Sequence, residues 1–468
     1  PLRLLAAVGA GSGIGMVYPS PATGVLAKPT VIKTLIREIT MTSEVSFWQL
    51  EQLSSEQRQQ LLQRTESDLG PYMAQVQPII DAVRERGDKA LVGFAERFDG
   101  AQVSVDSLRV TEAEFTAAQG LVDNETHEAI RYAADNIRRY HEAQKPGEMT
   151  LQEVRTGAFV GERFLPIPSV ACYVPRGKGS FPSVVLMNAI PAVVAGVPRA
   201  IIVTPPGPDG TVDAATLVAA KEAGITEVYR CGGAQAVAAV AYGTETLPRC
   251  SKIVGPGSPW MVAAKRLLAD RLDPGIPAGP SESIVFADSS VDGALAALDL
   301  LIEAEHGPDS SAYLVTTSRE VAEAAIKALP EHWAEMSEQR VEFSSTVLCG
   351  PMGGVVLAQD NDAAFDFIND YAPEHLQILS TDPWQYLGRI HNAGEVLLGP
   401  HSPSTLGNFV LGCNAVLPTS GAAATVSPLS VHDFMKFMSV AYVTENGYPE
   451  LAKQAERLAT YEGFDAHA

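Results

Sequence analysis

Basic residues are scarce in this 468-residue chain: 34 Lys and Arg stand against 55 Asp and Glu, a formal net charge of -21. So acidic a chain has no broad basic face, which argues against nucleic acid or an anionic membrane surface as a partner. Cysteine is also scarce. The five present (Cys172, Cys231, Cys250, Cys349 and Cys413) are far apart and show no zinc-type or redox-type pairing, so a reducing, cytoplasmic setting is expected. No stretch approaches the ~20 uninterrupted apolar residues of a membrane span. Internal repeats and low-complexity segments are lacking. Acid is almost missing from the first 40 residues, where Glu38 faces Arg3, Lys28, Lys33 and Arg37. Acid-poor leaders include targeting segments. This one is Gly- and Pro-rich, without an amphipathic helix or a strong apolar centre, and reads as a flexible arm over 1–40, with Met41 opening the globular part.

What remains is a folded protein, 46% apolar and 19% charged, long enough for two or three domains. From "FWQLEQLSSEQRQQLLQR" to "HEAIRYAADNIRRYHEAQ" apolar residues recur at three and four, which predicts helices. From about Pro168 the texture changes. "SVACYVP", "AIIVTPP", "EVYRCGG", "SKIVGPG" and "ESIVFAD" read as short buried strands with helices between them. "AYLVTT", "GGVVLAQ" and "HLQIL" continue the alternation. Strand–helix alternation predicts parallel sheets covered on both faces, here two α/β units in tandem. The last stretch, with "SVHDFMKFMSVAYV" and "PELAKQAERLATYEGF", reads as helix.

Gly9, Gly11, Gly13 and Gly15 resemble a dinucleotide-binding loop. Such a loop must open a helix and is followed by an acid ~20 residues on. Pro19 and Pro21 forbid that helix, and no acid appears before Glu38. These glycines read as a decoy.

Chemistry concentrates elsewhere. In "EAEHGPDS", Glu303 and His306 project from one helix face, a spacing that can chelate zinc or simply cap a helix end. In "YAPEHLQI", Glu374 and His375 sit at a helix-to-strand junction, where they could move protons or be a solvated turn. "GPGSPWMVAAKR" and "GIPAGPSES" are glycine–proline turns that let backbone approach a ligand, or ordinary turns. "YEGFDAHA" closes the chain with Glu462 and His467.

Taken in order, "YVPRGKGSFPSVVLMNAIPAVVAGV", "CGGAQAVAAVAYGTE", "IVGPGSPWMVAAKR", "PAGPSES", "AEHGPDS", "YAPEHLQI", "SPSTLGNF", "NAVLPTSGAA" and "EGFDAHA" resemble the histidinol dehydrogenase family from about residue 45 to the C-terminus. The resemblance implies a zinc-dependent, NAD-linked enzyme oxidising L-histidinol through L-histidinal to L-histidine. It implies a homodimer of α/β fold, with two Rossmann-like parallel-sheet domains, a helical N-terminal segment and a helical C-terminal tail. The expected organisation is an arm (1–40), an N-terminal helical segment (41–67), a first α/β domain (68–170 and 283–426), an inserted second one (171–282), and a tail (427–468) that reaches the partner subunit.

The same resemblance implies site residues. Glu303, His306, Asn408 and His467 would hold zinc, and Glu374 and His375 would transfer protons. Tyr173, Gln235 and Ser258 occupy cofactor-contacting positions. Ser281 and Glu462 match substrate-contacting positions, joined there by Glu303, His306, His375, Asn408 and His467. Five positions depart from the family. Glu303 stands for Gln, Asn408 for Asp, Ser258 for Asn and Ala415 for a substrate-contacting His, while Arg176 replaces one of a usual glycine pair. The first two changes together keep one carboxylate, one amide and two imidazoles. Ala415 points toward another small polar alcohol or amino alcohol as an alternative substrate.

Overall fold

The computed structural model describes residues 44–64, 69–176 and 179–468. The opening glycines and the 1–40 arm lie outside the described residues.

A short strand, β1 (Phe47–Gln49), comes first, inside the stretch whose periodicity reads as helix. Five helices follow: α1 (Ser55–Leu61), α2 (Gly70–Arg86), α3 (Asp88–Phe94), α4 (Glu112–Leu121) and α5 (Asn124–Gln144). Their starts are set by caps. Ser54 and Gln57 close a capping box on α1, Thr111 and Glu114 another on α4, and the Asp123 carboxylate accepts from Thr126 N on α5. A hairpin, β2 (Met149–Arg155) and β3 (Ala158–Pro166), leads into the first α/β unit. That unit runs β4 (Ser169–Tyr173), α6 (Pro182–Ala195), β5 (Arg199–Thr204), α7 (Ala214–Ala223), β6 (Val228–Arg230), α8 (Gly233–Tyr242), β7 (Lys252–Val254) and α9 (Pro259–Leu267). The second runs β8 (Glu282–Ala287), α10 (Gly293–Ala304), β9 (Ser311–Thr316), α11 (Arg319–Glu335), α12 (Glu338–Leu348), β10 (Gly353–Leu357), α13 (Asn361–Tyr371), β11 (His375–Leu379) and β12 (Glu395–Leu398). α14 (Ser404–Phe409), β13 (Met435–Val443) and α15 (Tyr448–Glu462) complete the chain.

Both expected parallel sheets are present. The first is four-stranded in the order β6-β5-β4-β7. The second is six-stranded, β1-β10-β9-β8-β11-β12, and also parallel. In each, the chain winds outward from one central strand and then switches to its other side, so each has a switch point, at β4/β7 and at β8/β11. Strands such as Ile201–Val203 and Ile284–Ala287 are buried on both faces, which is why they read as unbroken apolar runs.

One local reading is corrected. "SVHDFMKFMSVAYV" is not helical: after a tight turn at Val431–Phe434 it forms β13, which pairs antiparallel with β3 over nine residues. Long-range pairing and its β-branched and aromatic residues outweigh the periodicity. β2, β3 and β13 make a third, antiparallel sheet that the sequence pattern does not announce. The helices between 70 and 144 pack with the first unit: α2 rests on α8 and α9, and α5 on α6 and α7. They share its two apolar clusters, one of which also takes in Val416, Leu429, Val431 and Phe434, whereas residues 284–386 build two others, one of them with Leu50 and Leu61. No helix of the described residues is long and apolar enough to cross a membrane.

Candidate active site

At the switch point of the six-stranded sheet, functional side chains gather at the amino ends of β8 and β11. This is the opposite edge from the carboxyl ends that α/β folds usually exploit. α13 ends at Ala372, whose φ of 49° is unusual for a residue with a side chain. Pro373 then feeds Glu374 and His375 into β11. α10 runs back from β8 and delivers Glu303 to the same edge from its last turn. α14 brings Asn408.

His375 is the hub, buried at the head of β11. Its Nε2 lies 3.9 Å from Glu303 Oε1 and 3.8 Å from Glu374 Oε1. Its Nδ1 lies 2.7 Å from Glu395 Oε1. Asn408 Nδ2 donates to Glu303 Oε1 at 2.7 Å, and His306 Nδ1 stands 2.8 Å from Glu303 Oε2. Glu374 Oε2 accepts from Glu282 N at 2.9 Å. Glu282 is itself buried against Arg64, at 3.0 Å from Nε. The Arg64 guanidinium lies 3.4 Å from the Tyr371 ring centroid, fixing the end of α13.

The electrostatics separate these carboxylates. Burial pushes the Glu374 carboxyl up to about 8; the neighbouring His375 opposes this and Glu303 adds to it. Burial works against the charge on His375 too, but Glu303, Glu374 and Glu395 together raise it to about 10. Glu303 is buried as well, yet the charges of His306 and His375 and the Asn408 amide hold its carboxyl well below the usual range. One ionised acid thus stands beside one acid poised near neutrality, the arrangement that divides charge holding from proton transfer.

Glu395 is the residue that sequence reading missed. It pairs with His375 in the β11–β12 register, and Glu395 N donates to Glu374 O at 3.0 Å. Twenty positions separate it from His375, and only strand pairing joins them. The preceding Gly394 permits this approach, because a Cβ there would sit 2.5 Å from Glu374 O.

Of the residues named from sequence, Glu303, His306, Asn408, Glu374 and His375 are brought together. Ser281 lies at the head of β8 and accepts Ser311 N through its carbonyl. Glu462 and His467 are exposed at the C-terminus, where His467 lies 5.4 Å from the Phe464 ring, and neither is joined to the Glu303 cluster. Ala415 packs against the apolar cluster around α6. Cys413 donates to Glu395 Oε2 at 3.5 Å, and burial with that carboxylate pushes its thiol up to about 12, which leaves it no thiolate for nucleophilic attack.

The four-stranded sheet follows the usual rule. A cleft of about 730 Å³ opens by the N-termini of α8 and α9, lined by Gln235 and Ser258 among others. Tyr173, at the end of β4, accepts Gly233 N at 3.3 Å through its hydroxyl. Gly255, at φ 112°, lets the loop after β7 pass close to Tyr173 O, where a Cβ would lie 2.2 Å away.

Two Rossmann-ordered sheets, one with a cleft at its carboxyl edge and one with a buried acid–imidazole cluster, are the build of an α/β oxidoreductase. The chain belongs to the histidinol dehydrogenase family, whose model matches residues 62–468. It is similar to "Histidinol dehydrogenase homolog 2" of Mesorhizobium japonicum, 62% identical over 91% of this chain and 97% of that one. The histidinol dehydrogenase of Synechocystis sp. is 47% identical over 90% and 96%. The crystal structure of histidinol dehydrogenase from Elizabethkingia anophelis superposes with a TM-score of 0.85 at 31% identity, covering 90% of this chain and 96% of that one.

Zinc is the metal such a family implies. Among the described residues no group of three or more His, Cys, Asp or Glu is arranged to hold a metal. The local donors are instead one carboxylate, one imidazole and one amide, so a full shell needs a further ligand from outside this cluster. The chemistry fits. His306 Nδ1 is buried and, although 2.8 Å from Glu303 Oε2, is not aligned to hydrogen-bond it. A carboxylate and an imidazole paired at that distance are both ligand types that zinc takes, and a bound metal would replace the ion pair between them.

Proposed function

We propose that this protein is a zinc- and NAD-dependent dehydrogenase that oxidises L-histidinol through L-histidinal to L-histidine, a step of histidine biosynthesis. The observation that carries the reading is the buried His375, held between Glu395 on one ring nitrogen and Glu303 and Glu374 on the other. Glu303, His306 and Asn408, with His467 contributed by a second copy of the chain, would hold zinc, which supplies Lewis-acid polarisation of the substrate hydroxyl. NAD supplies the hydride acceptor, and Tyr173, Gln235 and Ser258 would contact it in the cleft.

The chain's own residues do the proton work. His375 Nε2, in its neutral form, takes the hydroxyl proton as the alcohol carbon is oxidised, a form that grows as pH rises toward about 10, and Glu395 holds the imidazole by Nδ1 so that Nε2 faces the substrate. Glu374, poised near neutrality, then draws a proton from the water that adds to the aldehyde, and the hydrated aldehyde is oxidised to the carboxylate. Ser281 and Glu462 would bind the substrate's polar groups. Enclosure by a neighbouring tail keeps the aldehyde from side reactions.

The two departures at the metal shell support retention of zinc. Glu303 and Asn408 touch each other at 2.7 Å, so exchanging acid and amide between the two positions preserves both charge and hydrogen bond. A homodimer fits the surface. The three-stranded sheet exposes Met149, Leu151, Phe437, Met438 and Tyr442, and the C-terminal helix exposes Tyr461. The five cysteines, none of them in a disulfide, fit a reducing cytoplasm.

A second reading, another small polar alcohol or amino alcohol at the same site, is favoured by Ala415, which lies against the apolar cluster where the family has an imidazole. Mass-spectrometric identification of products from L-histidinol and a panel of amino alcohols, with NAD and zinc, separates the two. L-histidine as the fastest-formed product supports the first. Turnover of another alcohol with none of histidinol overturns it.

A further inference from the structure

Asp299 is buried on α10, one turn before Glu303, so the two carboxylates project from the same face of the helix. On β11, Gln377 follows His375 by two residues and shares its face of the sheet. The two pairs form successive rungs between helix and strand. In the outer rung, His375 Nε2 stands 3.9 Å from Glu303 Oε1. In the inner rung, Gln377 Nε2 donates to Asp299 Oδ2 at 2.7 Å. A hydrogen bond closes the inner rung, and the outer one is left open.

The inner rung costs stability. Val285, which pairs with Gln377 in the β8–β11 register, and Leu379 belong to the apolar cluster that α10 covers with Ala296 and Leu300. Burial pushes the Asp299 carboxyl up to about 6, opposed by the Gln377 amide. Gln377 Oε1 is buried with no hydrogen-bond partner among the described residues, and so is Ser283 Oγ, which stands opposite His375 in the register. Apolar side chains of matching volume would fill the Asp299 and Gln377 positions without that cost. What the polar pair adds is a directed link. α10 packs over β8 and β9, and β11 lies on the far side of β8 from β9. The Asp299–Gln377 bond reaches across from the helix to β11.

We propose that Asp299 and Gln377 are positioning residues: their hydrogen bond fixes α10 against β11 at the spacing that lets Glu303 serve the metal and His375 the substrate hydroxyl without the two bonding to each other. The proposal rests on reading Glu303 as a zinc ligand and His375 as the proton acceptor. A shift of α10 relative to β11 by about 1 Å would close or widen the outer rung, and a misplacement of that size costs about 10²-fold in rate.

The test uses the full-length protein in three variants, each read by kcat, by zinc affinity in chelator competition and by the urea unfolding midpoint. Asp299→Ala with Gln377→Met removes the link and keeps the total side-chain volume. Its midpoint should match or exceed that of the wild type, while kcat falls by about tenfold or more and zinc binds about tenfold more weakly. Asp299→Asn keeps an acceptor for the Gln377 amide and should hold kcat and zinc affinity within about threefold. Gln377→Met alone should lose both as the double variant does. Values in the folded double variant within about threefold of the wild type overturn the positioning role, as does loss of both in Asp299→Asn. A double variant whose losses merely follow a fallen midpoint overturns it too. If the double variant fails to fold, Gln377→Met decides, and unchanged kcat and zinc affinity there overturn the proposal. A wild type that binds no zinc removes the metal reading and the proposal with it. Zinc held by the wild type, with affinity and kcat unmoved in the double variant, removes only the positioning role. Where the wild type turns over an alcohol other than histidinol, kcat is read on that alcohol.

Discussion

Glu374 and His375 were visible in the sequence because they are adjacent and follow a proline at a strand head. Glu303 with His306 was visible through helical spacing. Glu395 was not, since nothing in "NAGEVLLG" distinguishes a catalytic neighbour from a strand-edge acid; only the β11–β12 register reveals it. Its consequence is testable. Glu395→Gln should lower kcat by about tenfold or more while KM changes little, because the imidazole loses a charged acceptor that fixes its orientation. His375→Gln should cost about 10²–10⁴ in kcat, with zinc content unchanged by atomic absorption. The pH dependence follows from Glu374. A carboxyl raised to about 8 is mostly protonated at pH 6, and its base form grows as pH rises. Activity should therefore climb through about pH 8 and on toward pH 10 as His375 also loses its proton, and a profile flat from 6 to 9 would remove both as bases. Cys413→Ala should retain activity within about threefold, since a thiol held near 12 carries no part of the chemistry.

Elements buried on both faces were legible and half-exposed ones were not. β4, β5, β8, β9, β10 and β11 announce themselves as short apolar runs between helices. β2 and β13 are mostly solvent-exposed, so their identity comes from pairing with β3 rather than from their own pattern. Three-residue β1 is too short to show any period. The close seat of β12 against the Glu374 loop gives an element-scale expectation. Gly394→Ala puts a methyl 2.5 Å from Glu374 O and must push the two segments apart. It should destabilise the fold by about 1–3 kcal/mol in urea unfolding and lower kcat, because Glu374 and His375 ride on the displaced loop.

At the scale of the molecule, the two sheets share one plan and use opposite edges. The four-stranded sheet offers its carboxyl edge as a cleft, and the six-stranded sheet offers its amino edge as the acid–base cluster. What the described chain does not bring to that cluster, Glu462 and His467, lies exposed at its C-terminus, which is where a second copy would be needed. In the proposed homodimer, charge on the exposed sheet should separate the copies. Phe437→Asp with Tyr442→Asp should halve the mass measured by light scattering and abolish turnover together.

The most direct test of the account is the stoichiometry of NADH formation with limiting L-histidinol, before and after chelation. Two NADH per histidinol, lost when metal is stripped and restored by zinc, is the expected result. A purified protein that keeps zinc tightly and still forms no NADH from histidinol would contradict it.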